Sequence, residues 1–354
     1  MITIEDLYKL YLSHPIVSTD TRKLPEGCLF FALRGANFDG NKYAGAALEA
    51  GAAYAIIDEA DQLINERTIL VPDALEALQL LAAHHRRALG IPVIAITGTN
   101  GKTTTKELTA AVLSQSYHLL YTEGNLNNHI GVPLTLLRLT PEHQLALIEM
   151  GASKPGDIAE LCAIAQPNYG LITNIGQAHL EGFGSLEGVR RTKGELYDSV
   201  RAREGILFYH EEDEVLRQMS LGTERISYGS SPKAYVQGVA SPSTGESLFL
   251  HFSWSCPILE MSPREIQTQL VGDYNLANAL AAIAIGLYFD VPSDKIDEAL
   301  TSYCPSNSRS QLIHSERGNQ IIADAYNANP SSMRTALSNF LAIEPALRPR
   351  VVIL

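Results

Sequence analysis

The sequence predicts an α/β protein of more than one domain. Three observations carry that prediction. Apolar strand-like runs alternate with helix-like segments through most of the chain. A glycine-rich loop, Gly98-Thr99-Asn100-Gly101-Lys102-Thr103-Thr104, lies between an apolar run and a helix-like segment. The length, 354 residues, exceeds one small core and suits two or three domains.

The elements follow in chain order. Ile4 to Leu12 reads as a short amphipathic helix, and Cys28 to Leu33 as a compact apolar strand. Tyr43 to Ala50 reads as a helix that runs through Gly51 into a strand at Tyr54 to Ile57. Thr68 to Val71 is a further strand, followed by a helix from Asp73 to about Leu89. Gly90-Ile91-Pro92 marks a break. Beyond it, Val93 to Thr97 is β-branched and apolar, the pattern of a buried parallel strand. Thr103 to Leu113 reads as a helix, and Leu145 to Met150, Gly170 to Ile175 and Gly205 to Tyr209 as strands. Between about Arg225 and Trp254 strands occur without helices, which predicts an antiparallel patch. An alanine-rich helix follows from Asn275 to Leu287. A third unit starts near Asn307, with strands at Gln320 to Ala323 and Arg350 to Leu354 around a helix at Ser331 to Leu341.

Composition narrows the function class. Hydrophobic residues make up 45% and charged residues 19%, as in an ordinary globular protein. The formal net charge of -12, with no run of Lys and Arg, argues against nucleic acid and anionic lipid as partners. Anionic ligands would need local donors. Cys28, Cys162, Cys256 and Cys304 are scattered without a C-x-x-C pair, which predicts reduced thiols in or near the core and no zinc site. Met1 to Leu10 lacks an apolar signal stretch. Ala279 to Phe289, the longest nearly apolar segment, is too short to span a bilayer. A cytoplasmic protein without membrane insertion is expected.

The glycine-rich loop has the context of a phosphate loop. Its backbone amides can turn inward on phosphates, and the helix N-terminus adds partial positive charge. Lys102 can reach β- and γ-phosphates, and the Thr103 hydroxyl can ligate Mg²⁺. The match to G-x-x-x-x-G-K-[ST] is incomplete, because Ile96 stands at the first glycine position. Ligands in open α/β sheets bind beyond the carboxyl ends of strands. Glu149 ends one such strand and His179 follows another after a short loop, so both are candidate Mg²⁺ ligands. Lys193, taken alone, reads as a surface lysine, since an ammonium is a poor neighbour for Mg²⁺.

Four stretches together resemble the Mur ligases. They are Thr97 to Lys106, Gly124 to Pro133, Ile172 to Ser185 and Asp324 to Met333. The first is shared across that family and with folylpolyglutamate synthetases. The runs Asn125-Leu126-Asn127-Asn128 and Tyr326-Asn327-Ala328-Asn329-Pro330 resemble the members that use D-alanyl-D-alanine. The resemblance implies a UDP-binding N-terminal domain, a central P-loop parallel-sheet ATPase domain and a C-terminal domain, here 1–88, 89–306 and 307–354. It implies ATP and Mg²⁺, held through Gly98, Thr99, Asn100, Gly101, Lys102, Thr103 and Thr104. Glu149 and His179 match metal ligands, and Lys193 matches a lysine that is carbamylated and so becomes an anion able to support Mg²⁺. Asn275 and Asn278 match the segment that meets adenine, with Tyr274 in place of the usual histidine. Arg309 matches an arginine that reaches the ATP phosphates, and Asp324 an acid at the ribose. Thr19, Thr21, Ala36, Asn37 and Phe38 match the UDP-sugar segments; Asn125 and Asn128 are further candidates for substrate contact.

The implied reaction joins UDP-N-acetylmuramoyl tripeptide to D-alanyl-D-alanine through an acyl phosphate. Lys102, Lys193, His179 and Arg309 carry the catalytic roles, and a monomer is expected. The third tripeptide residue, diaminopimelate or lysine, is left open. So are two alternatives: another ligase of the same superfamily, and a P-loop switch or kinase that only binds or hydrolyses nucleotide. The two UDP-type segments argue against folate, and the Asp324 to Met333 segment has no use in a simple switch. The third unit, 354 − 307 + 1 = 48 residues, is short for an α/β domain of about 100 residues. An incomplete ligase that keeps UDP-muramoyl-peptide binding but does not turn over alone is therefore expected.

Overall fold

The computed structural model of the protein describes residues 2–177, 180–241, 248–306, 309–326, 328–342 and 351–353. In chain order the elements of the first part are α1 (Ile4–Ser13), β1 (Val17–Ser18), β2 (Leu29–Phe31), β3 (Arg34–Gly35), β4 (Phe38–Asp39), α2 (Ala44–Glu49), β5 (Tyr54–Ile57), β6 (Thr68–Leu70), α3 (Ala74–Leu89) and β7 (Val93–Thr97). They continue with α4 (Lys102–Leu113), β8 (Leu119–Tyr121), α5 (Gly131–Leu136), β9 (Leu145–Glu149), α6 (Asp157–Ala165), β10 (Tyr169–Ile172), α7 (Leu180–Phe183) and α8 (Leu186–Arg201). Then come β11 (Ile206–His210), α9 (Glu214–Met219), β12 (Glu224–Gly229), β13 (Val236–Ala240), β14 (Phe249–Ser255) and β15 (Arg264–Val271). The last are α10 (Leu276–Tyr288), α11 (Ser293–Ser302), β16 (Gln311–His314), β17 (Gln320–Ala323) and α12 (Pro330–Ala342).

These elements form two compact units, one of residues 1–97, 117–170 and 194–205, the other of 98–116, 171–193 and 206–354. The first holds a four-stranded sheet, β1-β2-β5-β6, parallel throughout. Alternation along its strands decides the packing. Cys28, Phe30, Ala32, Ala55 and Ile57 share a buried cluster with Ala44, Ala47 and Leu48 of α2. In the same unit β8, β9 and β7 lie side by side in that order, both pairs parallel. Every residue of β7 and β9 is buried, which is why both read as unbroken apolar runs.

In the second unit α4 packs on α10, whose residues Ala279 to Gly286 are all buried. Strands β11 to β15 follow one another in the sheet. The antiparallel patch expected between Arg225 and Trp254 is only partly so. β12 pairs parallel with both β11 and β13, and antiparallel pairing starts at β13–β14 and continues into β15. No helix separates β12 from β13, yet Tyr228 pairs with Val236 and Gly229 with Gln237 in parallel register. β16 and β17 form an antiparallel pair. Of the strand expected at Arg350 to Leu354, the described residues 351–353 are in no strand and have no ladder partner among the described residues. Cys28, Cys162 and Cys256 are buried, whereas Cys304 is exposed.

One half-buried carboxylate organises the start of the first unit. Asp58 follows β5, and its Oδ1 accepts from Arg34 Nε at 2.9 Å, Arg34 Nη2 at 2.7 Å and Asn41 Nδ2 at 2.8 Å. Its Oδ2 accepts from the Ala74 N–H at 3.1 Å, in the first turn of α3. Burial pushes the Asp58 carboxyl up, but the Ala74 N–H, Asn41 and Arg34 outweigh that and hold it below the ordinary value. A depressed carboxyl stabilises the fold above the unfolded-chain value of about 4 and loses that contribution as pH falls through the folded value. Asp58→Ala leaves the Ala74 N–H without its acceptor and the Asn41 amide with Asp39 Oδ1 alone, at 3.1 Å. It is expected to lower unfolding free energy by about 2 kcal/mol at neutral pH. In urea denaturation the deficit should shrink on acidification; a deficit that grows toward low pH would contradict this account.

Candidate active site

The glycine-rich loop begins where β7 ends. Gly98 has φ 140°, and a Cβ there would lie 2.0 Å from Thr173 Oγ1 and 3.0 Å from the Thr173 amide nitrogen. No side chain fits. Gly101, with φ 78°, is the N-cap of α4, and a Cβ on it would meet Asn278 Oδ1 at 2.7 Å. The helix then starts at Lys102, with Thr103 and Thr104 buried in its first turn.

Residues just after β10 brace this loop. The strand expected over Gly170 to Ile175 stops at Ile172, which leaves Thr173 to Gly176 available to meet it. Asn174 accepts the Asn100 N–H on Oδ1 at 3.0 Å and donates from Nδ2 to the Asn100 carbonyl at 2.9 Å. Thr173 Oγ1 donates to the same carbonyl at 2.6 Å. The Thr99 N–H donates to the Asn174 carbonyl at 3.0 Å, and Thr99 Oγ1 accepts the Gly176 N–H at 2.9 Å. Lys102 Nζ donates to the carbonyls of Gly98 and Thr99, both at 2.9 Å. An anionic phosphate oxygen is a stronger acceptor for that ammonium than either carbonyl.

A chain of amides leads away from the loop within the same unit. Thr105 Oγ1 donates to Asn278 Oδ1 at 3.0 Å, and Asn278 Nδ2 donates to Asn275 Oδ1 at 3.0 Å. Asn275, 1% exposed, donates to the Val271 carbonyl at 3.0 Å and to Ser310 Oγ at 3.3 Å. Tyr274 shares a 2.7 Å hydrogen bond with the same Ser310 hydroxyl, and burial pushes its phenol up. The Arg309 guanidinium lies 3.9 Å from the Tyr326 ring centroid, and its Nε is buried without a hydrogen-bond partner among the described residues. The Asp324 carboxyl is raised by the protein atoms crowding it, against the pull of the Ser310 N–H and of Arg309. Asn329 donates from Nδ2 to Asn100 Oδ1 at 2.8 Å and accepts the Ser332 N–H on Oδ1 at 2.9 Å, in the first turn of α12. The second conspicuous segment is thereby tied to the phosphate loop.

The candidate metal ligands differ in their immediate surroundings. Glu149, 1% exposed, ends β9. Its Oε1 accepts from Asn127 Nδ2 at 2.7 Å, while Oε2 is buried with no hydrogen-bond partner among the described residues. An unpaired buried carboxylate oxygen fits a divalent cation. Among the described residues no three His, Cys, Asp or Glu side chains form a ready-made metal cluster. Mg²⁺ suits such a site, because it completes its shell with hydroxyl, phosphate and water oxygens. Lys193 is 3% exposed on α8, with Nζ 5.8 Å from the Phe183 ring centroid, and so is not a surface lysine. His179 lies outside the described residues.

The substrate candidates lie in the first unit. Thr21 opens a short 3-10 turn capped by Asp20, and Thr19 is half-buried just before it. Ala36 and Asn37 form the exposed turn between β3 and β4, and Phe38 is 48% exposed and stacked on Tyr43 at 5.3 Å. Asn125 is exposed in a turn. Asn128 has a structural role, since its Oδ1 accepts the Ile130 N–H at 3.1 Å and the Gly131 N–H at 2.9 Å. Sequence reasoning passed over Asn127, Thr173, Asn174 and Ser310. Asn127 stands inside the conspicuous asparagine run, but spacing does not say which asparagine meets Glu149.

Known proteins resemble this chain over most of its length. The Mur ligase middle domain matches residues 96–286, and the Mur ligase family catalytic domain matches residues 15–86. The UDP-N-acetylmuramoyl-tripeptide--D-alanyl-D-alanine ligase of Escherichia coli (strain K12) is 38% identical over 341 residues, 95% of this chain and 74% of that protein. The enzyme of the same name from Bacillus subtilis (strain 168) is 37% identical over 324 residues, 91% of this chain and 69% of that protein. The crystal structure of MurF from Acinetobacter baumannii superposes with a TM-score of 0.81 at 32% identity, covering 92% of this chain and 70% of that one. MurF ligase from Thermotoga maritima in complex with ADP gives a TM-score of 0.82 at 26% identity, over 93% and 75% of the two chains.

Gly98→Ala tests the loop. The new methyl must displace Thr173 or the loop itself, so nucleotide affinity is expected to fall at least about tenfold, or 1.4 kcal/mol. Titration with a fluorescent ADP derivative measures it. Unchanged affinity would show that the close contact with Thr173 does not shape the loop.

Proposed function

The chain belongs to the Mur ligase family, and we propose that within it the chain is an ATP-dependent amide ligase adding D-alanyl-D-alanine to UDP-N-acetylmuramoyl tripeptide in peptidoglycan precursor synthesis. The observation that carries this reading is the bond between Asn329 and Asn100. It ties the Asp324 to Met333 segment to the phosphate loop, an arrangement that a nucleotide switch has no need of. We assign residues 1–88 to the UDP-sugar side, 89–306 to the ATPase and 307–354 to the part that meets ribose and phosphates.

The chemistry follows from the groups present. The tripeptide carboxylate attacks the γ-phosphorus of ATP; a carboxyl oxygen–phosphorus bond forms and the bond to ADP breaks. The D-alanyl-D-alanine amine then attacks the acyl carbon, phosphate leaves and the amine loses a proton. The first step brings two anions together. Lys102 and Arg309 offset that repulsion, and loop amides from Gly98 to Thr104 hold the phosphates in line. Asn275 and Asn278 are assigned to the adenine and Asp324 to the ribose. Thr103, Glu149, His179 and a carbamylated Lys193 would hold Mg²⁺, which supplies further positive charge at the phosphates. Support for Glu149 is its orphaned buried oxygen, and for Lys193 its burial. Thr19, Thr21, Ala36, Asn37, Phe38, Asn125 and Asn128 are proposed for the UDP-muramoyl peptide. A monomer suffices, since every group named comes from one chain. A cytoplasmic location is consistent with the lack, among the described residues, of a helix long and apolar enough to cross a membrane.

Phosphate release from ATP, measured in a preparation that turns over, should require both a UDP-muramoyl tripeptide and D-alanyl-D-alanine. Lys102→Ala should remove that release by at least about a hundredfold, on the scale of lost transition-state charge stabilisation, without unfolding the protein. Release independent of the dipeptide would point to a nucleotide hydrolase instead. Intact mass under bicarbonate should also show carbamate on Lys193, with small carboxylates restoring part of the activity of Lys193→Ala. A bare amine and no rescue would remove Lys193 from the metal site.

A further inference from the structure

Ser310 has a backbone conformation that its residue type resists. Its φ is 51°, in the left-handed region where a Cβ crowds the following carbonyl and glycine is the usual choice. The residue is 3% exposed and held from several directions. Its hydroxyl takes the 2.7 Å bond with Tyr274 OH and accepts from Asn275 Nδ2 at 3.3 Å. Its carbonyl accepts the Val271 N–H at 3.3 Å, and its own N–H donates to Asp324. A turn needing only the left-handed conformation would be served by glycine. The hydroxyl is what glycine lacks, and the hydroxyl is what Tyr274 and Asn275 grip.

The residue before this turn is Arg309, with its buried Nε lacking a partner among the described residues and its Cζ 3.9 Å from the Tyr326 ring centroid. The ring holds the guanidinium by cation–π attraction, and the backbone at Ser310 fixes where its stem starts. We propose that Ser310 is a positioning residue, whose hydroxyl, clasped by Tyr274 and Asn275, holds the turn that aims Arg309 at the ATP phosphates. Tyr274, at the place where the family usually has histidine, belongs to this clasp. The inference rests on Arg309 meeting the phosphates, as in the proposed function.

The test is a double-mutant cycle read by calorimetry in the presence of Mg²⁺, with the β,γ-imido analogue of ATP and with AMP. Circular dichroism checks that each variant folds. Ser310→Gly keeps the left-handed turn accessible and deletes the hydroxyl; Tyr274→Phe deletes the other half of the clasp and leaves the backbone alone. Ser310→Gly is expected to weaken the triphosphate analogue about tenfold and AMP less than about twofold, with Tyr274→Phe following the same pattern. In an Arg309→Ala background Ser310→Gly should add no further loss, because the group it aims is gone. Equal losses for the two nucleotides, or additive losses in the double variant, would overturn the positioning role and leave Ser310 as pocket structure. Arg309→Ala that binds the triphosphate analogue normally would refute the Arg309 assignment itself and this inference with it.

Discussion

The glycine-rich loop depends on one close approach, that of the Gly98 backbone to Thr173. A Cβ at Gly98 would sit 2.0 Å from the Thr173 hydroxyl, so the loop leaves β7 only if position 98 has no side chain. With that contact made, Thr173 and Asn174 occupy the Asn100 carbonyl and Asn174 takes the Asn100 N–H. The loop is then preorganised by protein hydrogen bonds, as the proposed phosphate-binding role requires.

Side-chain amides carry this order outward. Asn100 is held by Asn174 on its backbone and meets Asn329 with its side chain. Thr105, Asn278 and Asn275 connect α4 to Ser310 and so to the residue beside Arg309. Amides suit this role because each carries both donor and acceptor and stays uncharged at any working pH. A network of carboxylates in the same place would repel the nucleotide it is meant to receive.

The first unit uses a different device, a half-buried carboxylate with its acceptor sites filled. Asp58 gathers Arg34, Asn41 and the first turn of α3, and so fixes the base of the exposed β3–β4 hairpin that carries Ala36 and Asn37. Glu149 in the same unit is the contrasting case. One of its oxygens is satisfied by Asn127 and the other is not. A structural carboxylate is complete within the protein; a ligand-binding one leaves a valence open.

Much of this was legible in the sequence because it is local. The runs at β5, β7 and β17 have the bounds their apolar patterns give, the helix read from Asp73 starts one residue later with Asp73 as its N-cap, and the glycine-lysine-threonine run joins strand to helix as its mechanism requires. Resemblance added the Mur ligase family and its reaction. The sequence did not reveal that β12 pairs parallel with β13, because successive strands without an intervening helix read as antiparallel until their registers are known. Nor did it single out Thr173, Asn174, Asn127 or Ser310. Their partners lie 73, 74, 22 and 36 residues away, and a polar side chain has no periodicity to announce a distant hydrogen bond. Local pattern determined which elements form and where phosphate can bind; tertiary structure decided which side chains brace that loop, because only folding brings their donors and acceptors within reach.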